Sequence, residues 1–230
     1  MADPLFARLH LAVQDAFRPY LARVLAQNPE AQHAHLQSQF TAHMAFLADF
    51  CLAGYSGAGS LTTDFIRGLH RAMFPPDYRQ EVITCDGQKI WMLPGEYKSI
   101  SNNVCESYLQ PGKTVVFLAP EQVPSAMTQA VNTLNTALLA ANDARQKQDA
   151  ILWFALGFSA IHPFVDANGR TACILVDLLA IREGLPPFYF HSIKSKDLPA
   201  LYRAVQLAQR DQDLMPVREV LSLLGERTVR

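Results

Sequence analysis

Ten residues late in the chain constrain its fold more than any others. They run from His162 to Thr171, H-P-F-V-D-A-N-G-R-T, between the apolar segments Ile151 to Ile161 and Ala172 to Ile181. Proline disfavours the α conformation at the residue before it, so Pro163 ends the helix of the first segment. Gly169 permits the tight backbone from which a second helix starts. The predicted unit is helix, polar loop, helix, with a helix N-terminus facing the loop. Free N–H groups and the positive end of a helix dipole make such a terminus a receptor for phosphate. Successive loop amides between Val165 and Arg170 add an anion nest.

The side chains of the loop fit chemistry at phosphorus. A hydroxyl attacking phosphate needs a base with a pKa near neutral, and His162 is of that kind. Asp166 can hold Mg²⁺, which keeps most of its waters and uses few protein carboxylates. Asn168 can donate its amide to a phosphate oxygen, and Arg170 can neutralise charge on a leaving group through a fork of two hydrogen bonds. Phe164 reads as the apolar pin that seats the loop on the core. Any one of these residues is more often a cap, a turn residue or a core group, but their clustering within ten residues favours the chemical reading. Transfer at phosphorus depends mainly on positioning and charge stabilisation, so this set suffices.

The loop resembles the signature of the Fic (filamentation induced by cAMP) family, H-P-F-x-D/E-G-N-G-R-x-x-R. His162, Pro163, Phe164, Asp166, Asn168, Gly169 and Arg170 match, while Ala167 stands where glycine is usual and Cys173 where a second arginine is usual. The resemblance covers about Leu61 to Leu224. It implies an all-α, Fic-type helical bundle with a small β-hairpin flap over the active-site loop. Residues 61–230 would be the Fic domain and residues 1–60 an N-terminal helical extension packed on it, in one compact unit.

The resemblance further implies a protein nucleotidyltransferase that moves AMP, or another nucleoside monophosphate, onto a Ser, Thr or Tyr hydroxyl. His162 would be the catalytic base and Asp166 the Mg²⁺ ligand. Phe164, Ala167, Asn168, Gly169 and Arg170 would form the nucleotide and phosphate wall, with ATP or another nucleotide as donor. Gly95, Glu96, Tyr97, Lys98, Ser99 and Ile100 open the stretch that resembles the family's flap, where a target protein docks by strand addition. A methyl at Ala167 is tolerated if the loop torsions are α-like or β-like. Cys173 leaves a γ-phosphate without its charged partner, a loss of roughly 1.5–3 kcal/mol. That opens an alternative donor such as UTP, GTP or CDP-choline, the last giving phosphocholination. A non-catalytic Fic-like binding module is the competing class.

Many family members inhibit themselves with S/T-x-x-x-E-G/N, whose glutamate pairs with the second motif arginine. No glutamate lies between Glu30 and Glu81, and Cys173 replaces the arginine. The two absences agree on a chain that does not restrain itself in this way, so a separate antitoxin is a conceivable partner. Ser222 to Glu226 fits S-x-x-x-E but is followed by Arg227.

The remaining chain reads as helices at Pro4 to Gln27, Glu30 to Ala53, Leu61 to Phe74, Pro124 to Asn142, Ser195 to Arg210 and Met215 to Glu226. Asp86-Gly87 predicts a short hairpin between Val82-Ile83-Thr84 and Lys89 to Met92. The glycine-rich stretch Gly54 to Ser60 lacks the lysine of a P-loop and reads as a connector. His33, His35 and His43 share a helix without an acidic partner and read as a solvated face. A net charge of −1 argues against general nucleic-acid binding. Four widely spaced cysteines predict free thiols in a reducing compartment. The absence of a bilayer-length apolar run and of a basic-then-apolar N-terminus predicts a cytoplasmic protein, or an effector secreted without a cleaved signal.

Overall fold

The computed structural model describes residues 4–55, 59–75, 78–83, 87–102, 112–190 and 197–225. Eight helices and one two-stranded antiparallel hairpin are present among them. The helices are α1 Pro4–Ala26, α2 His33–Tyr55, α3 Thr63–Ala72, α4 Val123–Ala140, α5 Ala144–Ile161, α6 Asn168–Arg182, α7 Leu198–Asp211 and α8 Met215–Gly225. Their starts follow local chemistry. Thr62, Asp143 and Asp197 each accept a backbone N–H from the first turn of α3, α5 and α7, satisfying donors that the helix cannot.

The middle of the bundle is α5 against α6. Helix α4 covers α5, and α1 lies against both α2 and α6. Ile151, Phe154 and Phe158 of α5 and Leu175, Leu179 and Ala180 of α6 are buried in one core with Val13, Leu47 and Ile66 of α1, α2 and α3. Leu152 and Leu156, on another side of α5, join Ala204, Ala208 and Val217 of α7 and α8 in a second core. Helix α5 is therefore apolar on most of its circumference, as a central helix must be. Residues 4–55 contribute to the main core and are not a loosely attached extension.

The hairpin pairs β1 Gln80–Ile83 with β2 Lys89–Met92, with Val82 opposite Ile90. It lies before the stretch expected to form the flap. Gly95 to Asn102 contains no strand; that expectation is corrected because these residues spend their hydrogen bonds on the motif loop, as described below. Residues 103–111, Cys85, Cys105, most of the connector after Gly54, and Glu226 lie outside the described residues. Among the described residues, no helix is long and apolar enough to cross a membrane.

Two of the three histidines of α2 bond to neighbouring segments. His33 meets the carbonyls of Leu25 and Asn28 at the end of α1, and His43 reaches the carbonyl of Met73. Among the described residues, no group of three His, Cys, Asp or Glu side chains is arranged to hold a metal ion.

Candidate active site

The loop between α5 and α6 is tied in place by its own side chains. His162 closes α5 in the left-handed region (φ 51°), its N–H bonded to the carbonyl of Phe158. Phe164 is fully buried and stacks on His70 with ring centres 3.8 Å apart. Asn168 is also buried, and it spends both ends of its amide on Phe164: Oδ1 accepts from the backbone N–H at 2.8 Å and Nδ2 donates to the carbonyl at 2.7 Å. Phe164 is thus the buried pin and not a surface of the expected phosphate wall. Asn168 commits its oxygen and one of its two amide hydrogens to Phe164, and it also brings a backbone N–H to the first turn of α6.

The tight backbone at the start of α6 falls on Ala167, not on Gly169. Ala167 has φ 61° and ψ 9°, and Gly169 is not among the positive-φ glycines. The torsions are thus neither α-like nor β-like, and a side chain there costs about 1–2 kcal/mol relative to right-handed backbone. Thr171 helps to hold the turn by donating its hydroxyl to the carbonyl of Ala167.

Two openings flank the loop. One is an apolar cavity of about 400 Å³ whose walls include Phe117, Leu152, Leu156, Cys173, Val176 and Tyr202. The other is a cleft of about 390 Å³ lined by Tyr20, Arg23, Asp166, Ala167 and Arg170. His162, Asn168 and Gly169 border both. Cys173, at the second-arginine position, thus faces the apolar side. Arg170 faces the cleft, packed among the rings of Tyr20, Phe17 and Phe74 at 5.0, 5.6 and 5.9 Å. Burial lowers its pKa. Its nearest acid is Asp166, with Oδ2 3.9 Å from Nη2. The Asp166 carboxylate is half exposed in the cleft, and its Oδ1 accepts the N–H of Ala167.

The imidazole of His162 is held on two sides. It stacks on Phe117 at 3.9 Å, and its Nδ1 lies 2.8 Å from Nδ2 of Asn102. The orientation of that amide is forced. Oδ1 of Asn102 faces the ammonium of Lys98 at 2.8 Å, and Nδ2 also donates to the carbonyl of Phe164. An ammonium has only hydrogens to offer and a carbonyl only lone pairs. Nδ1 of His162 therefore accepts, and the imidazole hydrogen resides on Nε2. Burial and, next, the charge of Lys98 hold the His162 pKa down to about 4, with Asp166 opposing. The ring is neutral at pH 7.

Among the residues that hold the loop, His70 and Asn102 were not expected at the site, and Lys98 was expected in the docking flap and not as a brace. His70 is fully buried; its Nδ1 accepts the N–H of Gly95, so its Nε2 carries the hydrogen given to the carbonyl of Asp166. Lys98 is also buried: its N–H bonds the carbonyl of Pro163 and its ammonium the carbonyl of Ile161. Asn102 completes the set. Gly95 has φ 82°, and a Cβ on it would stand 2.9 Å from the carbonyl oxygen of Arg67. Glu96 pairs with Arg67 and Arg71, and Tyr97 lies against Phe164. Among the expected docking residues, then, Gly95 and Lys98 are buried braces of the loop. Ser99 is exposed and Ile100 partly so.

Comparison with known proteins places this architecture. The model of the Fic/DOC family matches residues 60–180, just over half of the chain. The chain belongs to the Fic/DOC family. It is 39% identical over 70 residues to "Protein adenylyltransferase fic-1" of Caenorhabditis briggsae, a stretch that is 30% of this chain and 13% of that protein. Among solved structures, it resembles a Fic domain containing signaling protein of Bacteroides thetaiotaomicron with a TM-score of 0.60 at 24% identity, over 80% of this chain and 65% of that one. A Fic family protein of Desulfovibrio desulfuricans matches 98% of this chain and 72% of its own, with a TM-score of 0.54 at 16% identity. These likenesses support the fold. The chain spans only a small part of the curated relative.

Proposed function

We propose that this Fic chain transfers a nucleoside monophosphate from a nucleotide donor to a hydroxyl of a target protein. The observation that carries the reading is the junction at His162, Asn168 and Gly169, which borders an apolar cavity on one side and a cationic cleft on the other. A nucleotide is divided in the same way. Its base and sugar suit the walls made by Phe117, Leu156 and Tyr202, and its charged phosphates suit Arg170 and the first turn of α6. The α-phosphorus then falls at the junction, beside the imidazole.

The target oxygen attacks that phosphorus. A new O–P bond forms, the bond to the bridging oxygen of the β-phosphate breaks, and pyrophosphate departs with its charge held by Arg170. The hydroxyl proton passes to Nε2 of His162. In the resting arrangement Nε2 carries the hydrogen, so the base forms only when the hydrogen moves to Nδ1 and the Asn102 amide turns over, giving up its bonds to the Lys98 ammonium and the Phe164 carbonyl. Phosphate charge entering the cleft favours the protonated imidazole and raises its basicity above the resting value of about 4.

Asp166 fits Mg²⁺ as its single protein carboxylate, because it is half exposed in a cleft that leaves room for waters and phosphate oxygens. When bound, the ion supplies charge neutralisation between the phosphates. The name of the Caenorhabditis briggsae relative favours AMP as the group transferred.

The test is mass spectrometry of lysate proteins incubated with the purified chain and Mg²⁺–nucleotide. The expected result is protein carrying the added mass of a nucleoside monophosphate, with none formed by His162→Ala. Equal labelling by that variant would remove His162 as the base, and no labelling by the wild type with any donor would end the transferase reading.

A further inference from the structure

We infer that Arg23, on the N-terminal helix α1, is a ligand for the terminal phosphate of the donor. This rests on the nucleotidyl-transfer reading and adds to it a residue from outside the family-matched segment, which begins at residue 60. Four observations lead to it.

Helix α1 packs along α6 in the opposite direction, since Arg8 near its start bonds the carbonyl of Leu185 beyond the end of α6. Its last turns therefore arrive at the start of α6. Pro19, Tyr20 and Arg23 form one wall of the cleft whose other wall is the motif loop. The ring of Tyr20 carries two guanidiniums, that of Arg170 at 5.0 Å and that of Arg23 at 5.6 Å. These like charges face one cleft, and among the described residues Arg23 makes no ion pair with a carboxylate.

Two cations held beside one aromatic ring, with a single acid at 3.9 Å from one of them, form an arrangement that an added anion stabilises. A phosphate group presents enough acceptor oxygens to engage both forks. The position where the family signature has its second arginine cannot serve here, since Cys173 lies on the apolar wall. Arg170 meets the phosphate nearer the junction, and Arg23, further out on α1 and solvent-exposed, meets the outermost one. The N-terminal helices are thus part of the active site as well as of the core. A donor ending in an organic group, such as CDP-choline, leaves Arg23 without a free terminal phosphate.

The experiment is equilibrium binding to the full chain in Mg²⁺, with ATP, AMP and inorganic tripolyphosphate as probes. The last makes the result independent of base preference. Arg23→Ala should weaken ATP and tripolyphosphate about tenfold, the value of one charge-assisted contact at a partly exposed site. It should leave AMP unchanged, and Arg23→Lys should recover part of the loss. If wild type and Arg23→Ala bind ATP and tripolyphosphate equally, or if AMP weakens in step with ATP, the assignment of Arg23 is overturned while the nucleotide reading stands. If the wild type binds none of the three, both fall together.

Discussion

Asn102 decides which nitrogen of His162 carries the hydrogen, and replacing it by aspartate tests that directly. In the wild type, Nδ2 of Asn102 lies 2.8 Å from Nδ1 of the imidazole, so Nδ1 accepts and the hydrogen stays on Nε2. A carboxylate has no hydrogen to give. Asn102→Asp must therefore draw the hydrogen onto Nδ1 and free Nε2 as a lone pair. It also places a negative charge beside an imidazole whose pKa is held at about 4. An opposite charge at such a distance raises a pKa by about 1–3 units. The Lys98 ammonium, 2.8 Å from the same amide in the wild type, shares the new charge. The lower half of that range therefore applies: a rise of about 1–2 units, or roughly 1.4–2.7 kcal/mol in favour of the imidazolium. Imidazole ¹⁵N shifts followed against pH read both quantities. The wild type should show the Nε2–H tautomer and an acid-shifted titration. Asn102→Asp should show Nδ1–H and titrate nearer pH 5 to 6. A wild-type ring already in the Nδ1–H form, or one titrating at its ordinary 6.5 in both proteins, would refute the reasoning.

Three further outcomes follow from local geometry. Ala167→Gly should raise stability by about 0.5–1 kcal/mol: relief of left-handed strain of about 1–2 kcal/mol is partly offset by the added freedom of glycine in the unfolded chain. An unchanged or lower urea midpoint would contradict it. Gly95→Ala should cost about 2 kcal/mol or more, because the methyl meets the Arg67 carbonyl at a positive φ; a melting temperature equal to wild type would count against the bracing role. Both His70 and His162 have folded pKa values near 4 against 6.5. As pH falls through 6.5 the unfolded chain binds these protons first, so stability declines between pH 6.5 and 4. Each residue accounts for roughly 3 kcal/mol of that loss. The metal-free protein should therefore unfold at much lower urea at pH 4.5 than at pH 7, and a flat profile would show the imidazoles to be solvated.

The sequence disclosed those parts of the site that are local. The helices around the motif were legible because Ile151, Phe154, Phe158 and Ile161 recur at helical spacing and Pro163 forbids continuation. The pairing of β1 with β2 on either side of Asp86-Gly87 followed from turn chemistry. The torsion of Ala167 was not legible, because the residue type opposes it and it is held by its surroundings: the packing of Phe164 and Asn168 and the hydroxyl of Thr171. Nor were the bonds that His70, Lys98 and Asn102 make to the loop, because their partners lie 60 or more positions away. A buried histidine in L-H-R-A-M-F looks like any other helix residue until Gly95 arrives beneath it. The flap was misplaced for a related reason: G-E-Y-K-S-I carries polar residues suited to an exposed hairpin, but Gly95 and Lys98 are drawn inward by unpaired carbonyls and the imidazole of His70. Tyr20 and Arg23 gave no signal at all, since on one helix they read as an aromatic and a charge on the solvent side.

The most direct test of the account uses one nucleoside triphosphate labelled at either its α- or its γ-phosphorus, incubated with the full chain, Mg²⁺ and lysate. Protein-bound label should come from the α position only and be lost in both His162→Ala and Arg170→Ala. Label from the γ position alone would mean that the junction between the two cavities transfers a different phosphorus, and the arrangement described here would be wrong.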